Sequence, residues 1–248
     1  MKLNSIIYVA IPLLFVSACK KEETKQVFNP LTTRVKTISN NTAGTTETYT
    51  YDSENRVTLI QNSNGSKTEF NYNGDTLTQT NFDNTGAVLN MEVILLDSFG
   101  LASNSVTTDP AGNILSFHQY YFNSNQEKTD KNDYNNAYIQ TGKYEWRWSD
   151  GNLVQYSIYD STITTKVYDT YYWYYDPATT SVGNINKGQK FWGADSKYLM
   201  RKYIQNSYLY GNSLFTFEYT LDELQRLTSM KTYNYQGQLE NTITYTYY

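Results

Sequence analysis

Phe215-Thr216-Phe217-Glu218-Tyr219-Thr220-Leu221-Asp222-Glu223-Leu224-Gln225-Arg226-Leu227 is the stretch that decides the fold class. As far as Leu221 it alternates large apolar side chains with polar ones. Successive side chains of a strand point to opposite faces, so a period of two puts Phe215, Phe217, Tyr219 and Leu221 on one buried face. Asp222 to Gln225 then supplies a polar turn, and Arg226-Leu227 opens the next strand. The alternation recurs along the chain. Tyr49 and Tyr51 oppose Thr48 and Thr50, Phe70 and Tyr72 oppose Glu69 and Asn71, and Tyr144, Trp146 and Trp148 oppose Glu145 and Arg147. Near the end Ile243, Tyr245 and Tyr247 oppose Thr242, Thr244 and Thr246. No window sustains an apolar repeat at helical spacing.

Turn signals punctuate these segments at strand-length intervals: Ser53-Glu54-Asn55, Asn64-Gly65, Asn73-Gly74, Asn84-Thr85-Gly86, Ser98-Phe99-Gly100, Pro110-Ala111-Gly112, Asp150-Gly151, Tyr210-Gly211, Asp222 to Gln225 and Gln236-Gly237. Asn-Gly and Asp-Gly tolerate the positive φ that tight hairpin turns require. The expectation is an all-β protein, an antiparallel meander of repeated hairpins forming a large curved sheet or a partly or fully closed barrel with a water-exposed outside. Asn73-Gly74 is predicted to join strands Lys67 to Tyr72 and Thr76 to Phe82. Two stretches break the rhythm: Asn123 to Asn136, rich in Asn, Lys and Asp, and Asp176 to Ser196, with Pro177, three glycines and the pair Phe191-Trp192. Both read as long loops, the places where a β scaffold usually carries binding.

Several hairpins resemble one another. Tyr49-Thr-Tyr51-Asp52-Ser-Glu-Asn-Arg56-Val57 sets beside Phe217-Glu-Tyr219-Thr-Leu-Asp222-Glu-Leu-Gln-Arg226-Leu227 and beside Tyr233-Asn-Tyr235-Gln-Gly237-Gln-Leu239. The shared unit is aromatic-x-aromatic, a polar turn, then a polar-aliphatic start. This pattern resembles the YD repeats of Rhs-type shell proteins. It looks still more like small Bacteroidota lipoproteins of unknown function with a porin-like β fold. The resemblance implies an extended β architecture over residues 45–248 and no catalytic residue.

The start of the chain is of another kind. Lys2 precedes an apolar run from Ile6 to Val16, then Val16-Ser17-Ala18-Cys19 and Lys20-Lys21-Glu22-Glu23. The run suits a signal-peptide core and falls short of the roughly 20 residues of a spanning helix; Pro12 weakens a helix further. A hydrophobic residue, two small residues and then Cys resemble the bacterial lipobox. The resemblance implies that residues 1–18 are a signal peptide and that Cys19 becomes the acylated first residue of the mature chain, held by chains such as palmitate. Residues 19–29 then form a lipidated tether, and residues 30–248 a single β domain. The Lys-Lys-Glu-Glu run resembles the surface-export tag of Bacteroidota lipoproteins. The expected address is the bacterial outer membrane, lipid-anchored on its periplasmic or cell-surface face.

Charge and chemistry narrow the function. The 248 residues carry 20 basic and 24 acidic side chains, which leaves no basic footprint for nucleic acid. Cys19 is the only cysteine, so no internal disulfide is available. His118 is the only histidine, which excludes a Cys-His pair and a two-His zinc motif. It reads as a strand residue in Ile114 to Phe122. Nucleophile elbow, phosphate loop and dinucleotide fingerprint are absent. Asp130, Asn132, Asp133 and Asn135 fail the calcium-loop pattern, because Asn135 stands where Gly is needed and the distal Glu is missing. No metal and no cofactor are expected. Carboxylate-only glycoside hydrolysis needs two acids at a set separation, for which Glu145, Asp150, Asp169 and Asp176 are the candidates.

The 26 tyrosines serve mainly as core, since Tyr favours strands and buries a large ring while its hydroxyl finds a partner. As stacking platforms for a sugar, Trp173 and the loop residues Trp192 and Phe191 are the candidate ligand-binding residues. The preferred reading is a lipid-anchored, non-catalytic binding or interaction module of the cell envelope with a glycan as its ligand class. The alternatives are a glycan-active hydrolase using a carboxylate pair and an accessory subunit docking on an outer-membrane protein.

Overall fold

The computed structural model describes residues 33–160, 162–175, 182–208 and 211–248. The signal peptide, Cys19, the tether and Asp176 lie outside the described residues. Sixteen strands follow in order: β1 (Val35–Asn40), β2 (Thr45–Tyr51), β3 (Val57–Asn62), β4 (Lys67–Asn73), β5 (Thr76–Phe82), β6 (Val88–Leu96), β7 (Ala102–Thr108) and β8 (Ile114–Phe122). The second half comprises β9 (Lys128–Asn135), β10 (Gln140–Ser149), β11 (Asn152–Tyr159), β12 (Lys166–Tyr174), β13 (Met200–Ser207), β14 (Gly211–Leu221), β15 (Leu227–Tyr233) and β16 (Leu239–Tyr247). Each pairs antiparallel with its neighbours in sequence, and β1 pairs with β16 to close a barrel. The expected meander is therefore a closed one.

One turn type builds most of the hairpins. Asp or Asn opens it at Asp52, Asn62, Asp83, Asp97, Asp109, Asn123, Asn135, Asp160, Asp222 and Asn234. At Asp52 the carboxylate Oδ1 accepts the amides of Glu54 and Arg56, each at 2.9 Å, and Asn55 takes φ 62. Asp222 repeats this with Leu224, Arg226 and Gln225 at φ 61. A side-chain oxygen standing in for a backbone acceptor is why Asp and Asn recur here. The residue with positive φ is the αL position of a three-residue hairpin loop with its bulge, and register shifts fall beside these turns, as at Thr50/Tyr51 and Thr220/Leu221. Arg56 and Arg226 then fold back, each Nε 2.7 Å from its aspartate and each guanidinium over an aromatic ring, Tyr72 at 4.5 Å and Tyr247 at 4.8 Å. The predicted Asn73-Gly74 turn sits one residue later: Asn73 still pairs with Thr76, and Gly74 at φ 59 and Asp75 make the bend.

The stretch Asn123 to Asn136 is not a long loop. Only residues 123–127 form a turn, and Lys128–Asn135 is strand β9, paired with both β8 and β10. Its sequence hid it because both of its faces are polar: Lys131 and Asp133 point into the barrel, where partners receive them, and Asp130 and Asn132 point out.

The buried face is the barrel's inner face. Val35, Tyr49, Val57, Phe70, Leu77, Ile94, Ala102 and Tyr120 form one core with Phe191 from the connection between β12 and β13. A barrel of this strand number encloses more space than wall side chains fill. Here residues 182–199 of that connection fold back as a plug across one mouth. The outer face carries Glu69, Glu145, Arg147, Glu218 and Lys231; against lipid an Arg or Lys costs about 2–4 kcal/mol at the bilayer midplane, and a Glu less. Large apolar side chains stay exposed chiefly along β6 and β8, among them Leu89, Met91, Leu95, Leu115 and Tyr121.

Candidate functional site

The plug is stitched to the wall by its main chain. Asn186 O accepts the Val35 amide at 3.1 Å and Gly188 O accepts that of Val57 at 3.1 Å. On the return leg Ala194 N donates to Gln126 O at 2.8 Å and Lys197 N to Gly151 O at 3.1 Å. Side chains add to this: Arg34 Nη1 donates to Ile185 O at 3.2 Å, Tyr174 OH meets Ser196 Oγ at 2.8 Å, and the Leu153 amide donates to Ser196 Oγ at 3.1 Å. A single 3₁₀ turn, Lys190–Trp192, drives Phe191 into the core between Phe70 and Tyr72. Phe191 is 3% exposed, so this candidate stacking residue serves the core; burying such a ring is worth about 1.5–3 kcal/mol.

Trp192 is half-buried beside it, 5.2 Å from the Tyr120 ring, with the ammonium of Lys128 4.6 Å from its centroid. Tyr120, Phe122 and Trp146 complete an aromatic cage about that ammonium at 5.3, 5.9 and 5.5 Å. Burial in this cage, with repulsion from Lys131 second, lowers the Lys128 pKa to about 8. The cage thus ties plug to wall through cation–π attraction. Trp173 lies on the outer face of β12, 40% exposed, under Lys202 at 4.5 Å.

Between the plug, the turns after β8 and β10, and the inner wall lies a cavity of about 800 Å³. Two indoles from β10, Trp146 and Trp148, face it with Asn123, Glu127, Asp195 and Lys197. The bulge at Arg147/Trp148 turns the second indole, and its Nε1 donates to Lys128 O at 2.7 Å. Glu127 is buried and held by Asn123 Nδ2 at 2.7 Å. Asp195 opens to the cavity yet is walled by protein; burial raises its pKa, against the Asn184 amide that donates to it and the nearby lysines. Two flat apolar rings thus share a concave space with acids, amides and one amine. Sequence reading placed Trp146 and Trp148 on a strand without singling them out. The signal was there: two indoles two residues apart, next to the Asp150-Gly151 turn at the strand's end.

The candidate carboxylates are dispersed. Glu145 and Asp169 share the outer wall, Glu145 with Lys143 at 2.7 Å and Tyr159 OH at 2.7 Å. Asp169 is held by Ser157, Gln155, Tyr208 and Lys166. Burial alone would raise both, but these hydrogen bonds outweigh it and hold both below the usual carboxylate range. Asp150 stands on the cavity rim. His118 lies on the inner face of β8.

Comparison with known proteins finds no matching family model and no matching curated protein. Solved structures do match. The chain is similar to a porin-like protein from Bacteroides uniformis, with a TM-score of 0.64 at 16% identity over 82% of this chain and 90% of that one. It is also similar to a porin-like protein from Bacteroides vulgatus, with a TM-score of 0.58 at 11% identity over 86% of this chain and 98% of that one. At these identities the likeness is one of fold, and the porin-like barrel is the fold this chain shares with them.

Proposed function

We propose that the chain is a lipid-anchored module of the bacterial cell envelope that binds glycans, without turnover, in the cavity at the plugged mouth. The observation that carries this reading is the pair Trp146 and Trp148 facing Asn123, Glu127, Asp195 and Lys197 across about 800 Å³. Indole faces desolvate against the apolar face of a sugar while the polar groups take its hydroxyls. Trp192 is joined to Trp146 through the Lys128 ammonium, which lies 4.6 Å from one ring and 5.5 Å from the other. The envelope address draws on the signal-like start ending at Cys19 and on the porin-like Bacteroides proteins whose fold this barrel shares. The resemblance to YD repeats rests on sequence pattern, the aromatic-x-aromatic, polar turn and polar-aliphatic start shared by the units that open at Tyr49, Phe217 and Tyr233.

Screening the chain against bacterial, host and plant polysaccharides, then titrating a positive, tests the reading. Trp146→Ala should weaken binding at least about tenfold, or about 1.4 kcal/mol, and Trp173→Ala should leave it unchanged. Loss with Trp173→Ala alone would move the site to the outer wall. Turnover that disappears with Glu127→Gln or Asp195→Asn would instead support a glycan-active hydrolase. A docking subunit is favoured by one observation, the apolar side chains Leu89, Met91, Leu95 and Leu115 exposed on β6 and β8, because patches of this kind mark interaction surfaces. Binding to no glycan would leave that reading.

A further inference from the structure

The lone histidine stands in a line of hydrogen bonds on the inner wall, outside the mouth cavity. Ser116 Oγ is 3.0 Å from His118 Nε2, and Asp133 Oδ1 is 2.6 Å from His118 Nδ1. Strand geometry produces the line. Ser116 and His118 are two apart on β8 and so share a face, and the register sets Asp133 opposite His118 and Asn135 opposite Ser116. Lys131, on the same face of β9, puts its ammonium 2.9 Å from Asp133. Burial would raise the Asp133 pKa, but the hydrogen bonds from His118 and Lys131 outweigh it and keep the carboxyl below its ordinary value.

An ionised acceptor at Nδ1 fixes the imidazole proton there and leaves the Nε2 lone pair to accept the Ser116 hydroxyl. These are the contacts and the tautomer of a nucleophile, base and orienting acid, a constellation recognised by geometry and not by chain order. The site is reachable from the lumen: the His118 and Asp133 side chains keep 16% and 18% of their surface exposed. Beside Ser116, Asn135 has its Oδ1 engaged by the amides of Ala137 and Ile139 at 2.9 and 3.0 Å. An amide NH2 on the residue opposite Ser116 is the kind of donor that can serve an oxygen bearing developing charge.

We propose that Ser116, His118 and Asp133 form an acyl-transfer site acting on small carboxylic esters inside the barrel. Ser116 Oγ bonds to the ester carbonyl carbon as its proton passes to Nε2, and Asn135 donates to the resulting oxyanion. The intermediate collapses, the C–O bond to the alcohol breaks, and the leaving oxygen takes the proton from Nε2. Water then attacks the acyl-Ser116 ester, giving its proton to Nε2, and Ser116 recovers that proton as the carboxylic acid departs. Asp133 keeps its charge and steadies the imidazolium throughout.

The test uses the full chain with p-nitrophenyl acetate and a fluorophosphonate probe. The expected result is a single adduct on the Ser116 peptide by mass spectrometry. Ester hydrolysis should fall about 100-fold or more in Ser116→Ala, His118→Gln and Asp133→Asn. Thermal midpoints separate lost chemistry from lost folding. Ser116→Cys covers the case in which the alanine variant misfolds: its thiol should alkylate with iodoacetamide faster in the presence of His118 than in the His118→Gln background. Absence of an adduct at Ser116, hydrolysis no faster than Ser116→Ala, or equal alkylation in both backgrounds would overturn the proposal. None of these readouts involves a glycan, so failure here is separate from failure at the mouth cavity.

Discussion

Two glycines show how differently one residue type is used in this barrel. Gly74, at φ 59, has nothing within 4 Å of where a Cβ would stand, so only backbone strain opposes substitution there. Gly188, at φ 66, would place a Cβ 2.6 Å from Val57 N, 2.8 Å from Tyr51 Cε1 and 2.9 Å from Asn55 O. Those atoms include the amide that Gly188 O itself binds. A left-handed L-residue costs roughly 1–2 kcal/mol, and overpacking a filled site adds about 1–3 kcal/mol. Gly74→Val should therefore destabilise by the backbone contribution, with the β-branch at its upper end. Gly188→Ala should cost more and should also free the plug, read as increased hydrogen exchange at the Val57 and Val35 amides. Equal cost at both sites, or unchanged exchange at Val57, would show that the plug does not depend on this close approach.

At the scale of elements, β9 decides what an insertion does. Four Gly/Ser residues placed within Lys128–Asn135 would shift one side of a strand paired on both edges and turn Lys131 and Asp133 out of register with Tyr144 and His118. The same insertion between Pro110 and Ala111, both in an exposed turn, adds loop-closure entropy of about 0.5–1 kcal/mol and loosens the Asp109 turn bonds to Gly112 and Asn113, but leaves the pairing of both strands in register. The β9 variant should lose cooperative unfolding, and the turn variant should melt within a few degrees of wild type; similar melting of the two would contradict the pairing. Why this strand escaped the sequence reading also explains what else was hidden. Period two and turn residues such as Asn-Gly and Asp-Gly are local signals, and they made β2, β4, β10, β14 and β16 legible. On β9 the inward residues are polar, and the lumen accepts them because partners come from elsewhere: His118 for Asp133, Tyr144 for Lys131, and the rings of Tyr120, Trp146 and Trp192 for Lys128. With β9 read as loop, Asp133 could not be set beside His118, though Ser116-x-His118 was visible. The stretch to Ser196 was legible as a loop, but its place inside the mouth depends on Val35 and Val57, more than a hundred residues away.

Closure is the property of the whole molecule, and much of its hardware titrates. β1 meets β16 across the full length of the chain, with Thr37 Oγ1 2.7 Å from Thr246 Oγ1 and Tyr248 OH donating to Tyr49 O at 2.6 Å. Eight carboxylates have pKa values held low in the folded barrel: Asp52, Asp83, Asp109, Asp133, Glu145, Asp160, Asp169 and Asp222. Five of the eight open hairpin turns, where side-chain and amide donors favour the ionised form; at Asp52 and Asp222 those donors overcome a burial effect that alone would raise the value. A depressed folded pKa adds stability that is complete above the unfolded value of about 3.9 and disappears as pH falls through the folded value. Asp195, raised by burial, works in the opposite sense but is a single group. The melting midpoint should thus stay level from about pH 7 to about pH 5 and fall steeply below. Asparagine opens the same turn at Asn123, Asn135 and Asn234 without titrating. Replacing Asp52, Asp83, Asp109, Asp160 and Asp222 by Asn should preserve the midpoint at pH 7 to within a few degrees and make the drop between about pH 5 and about pH 3 shallower than in wild type. An acid limb as steep as wild type would place the acid lability in the barrel wall, at Asp133, Glu145 and Asp169, and not in its turns.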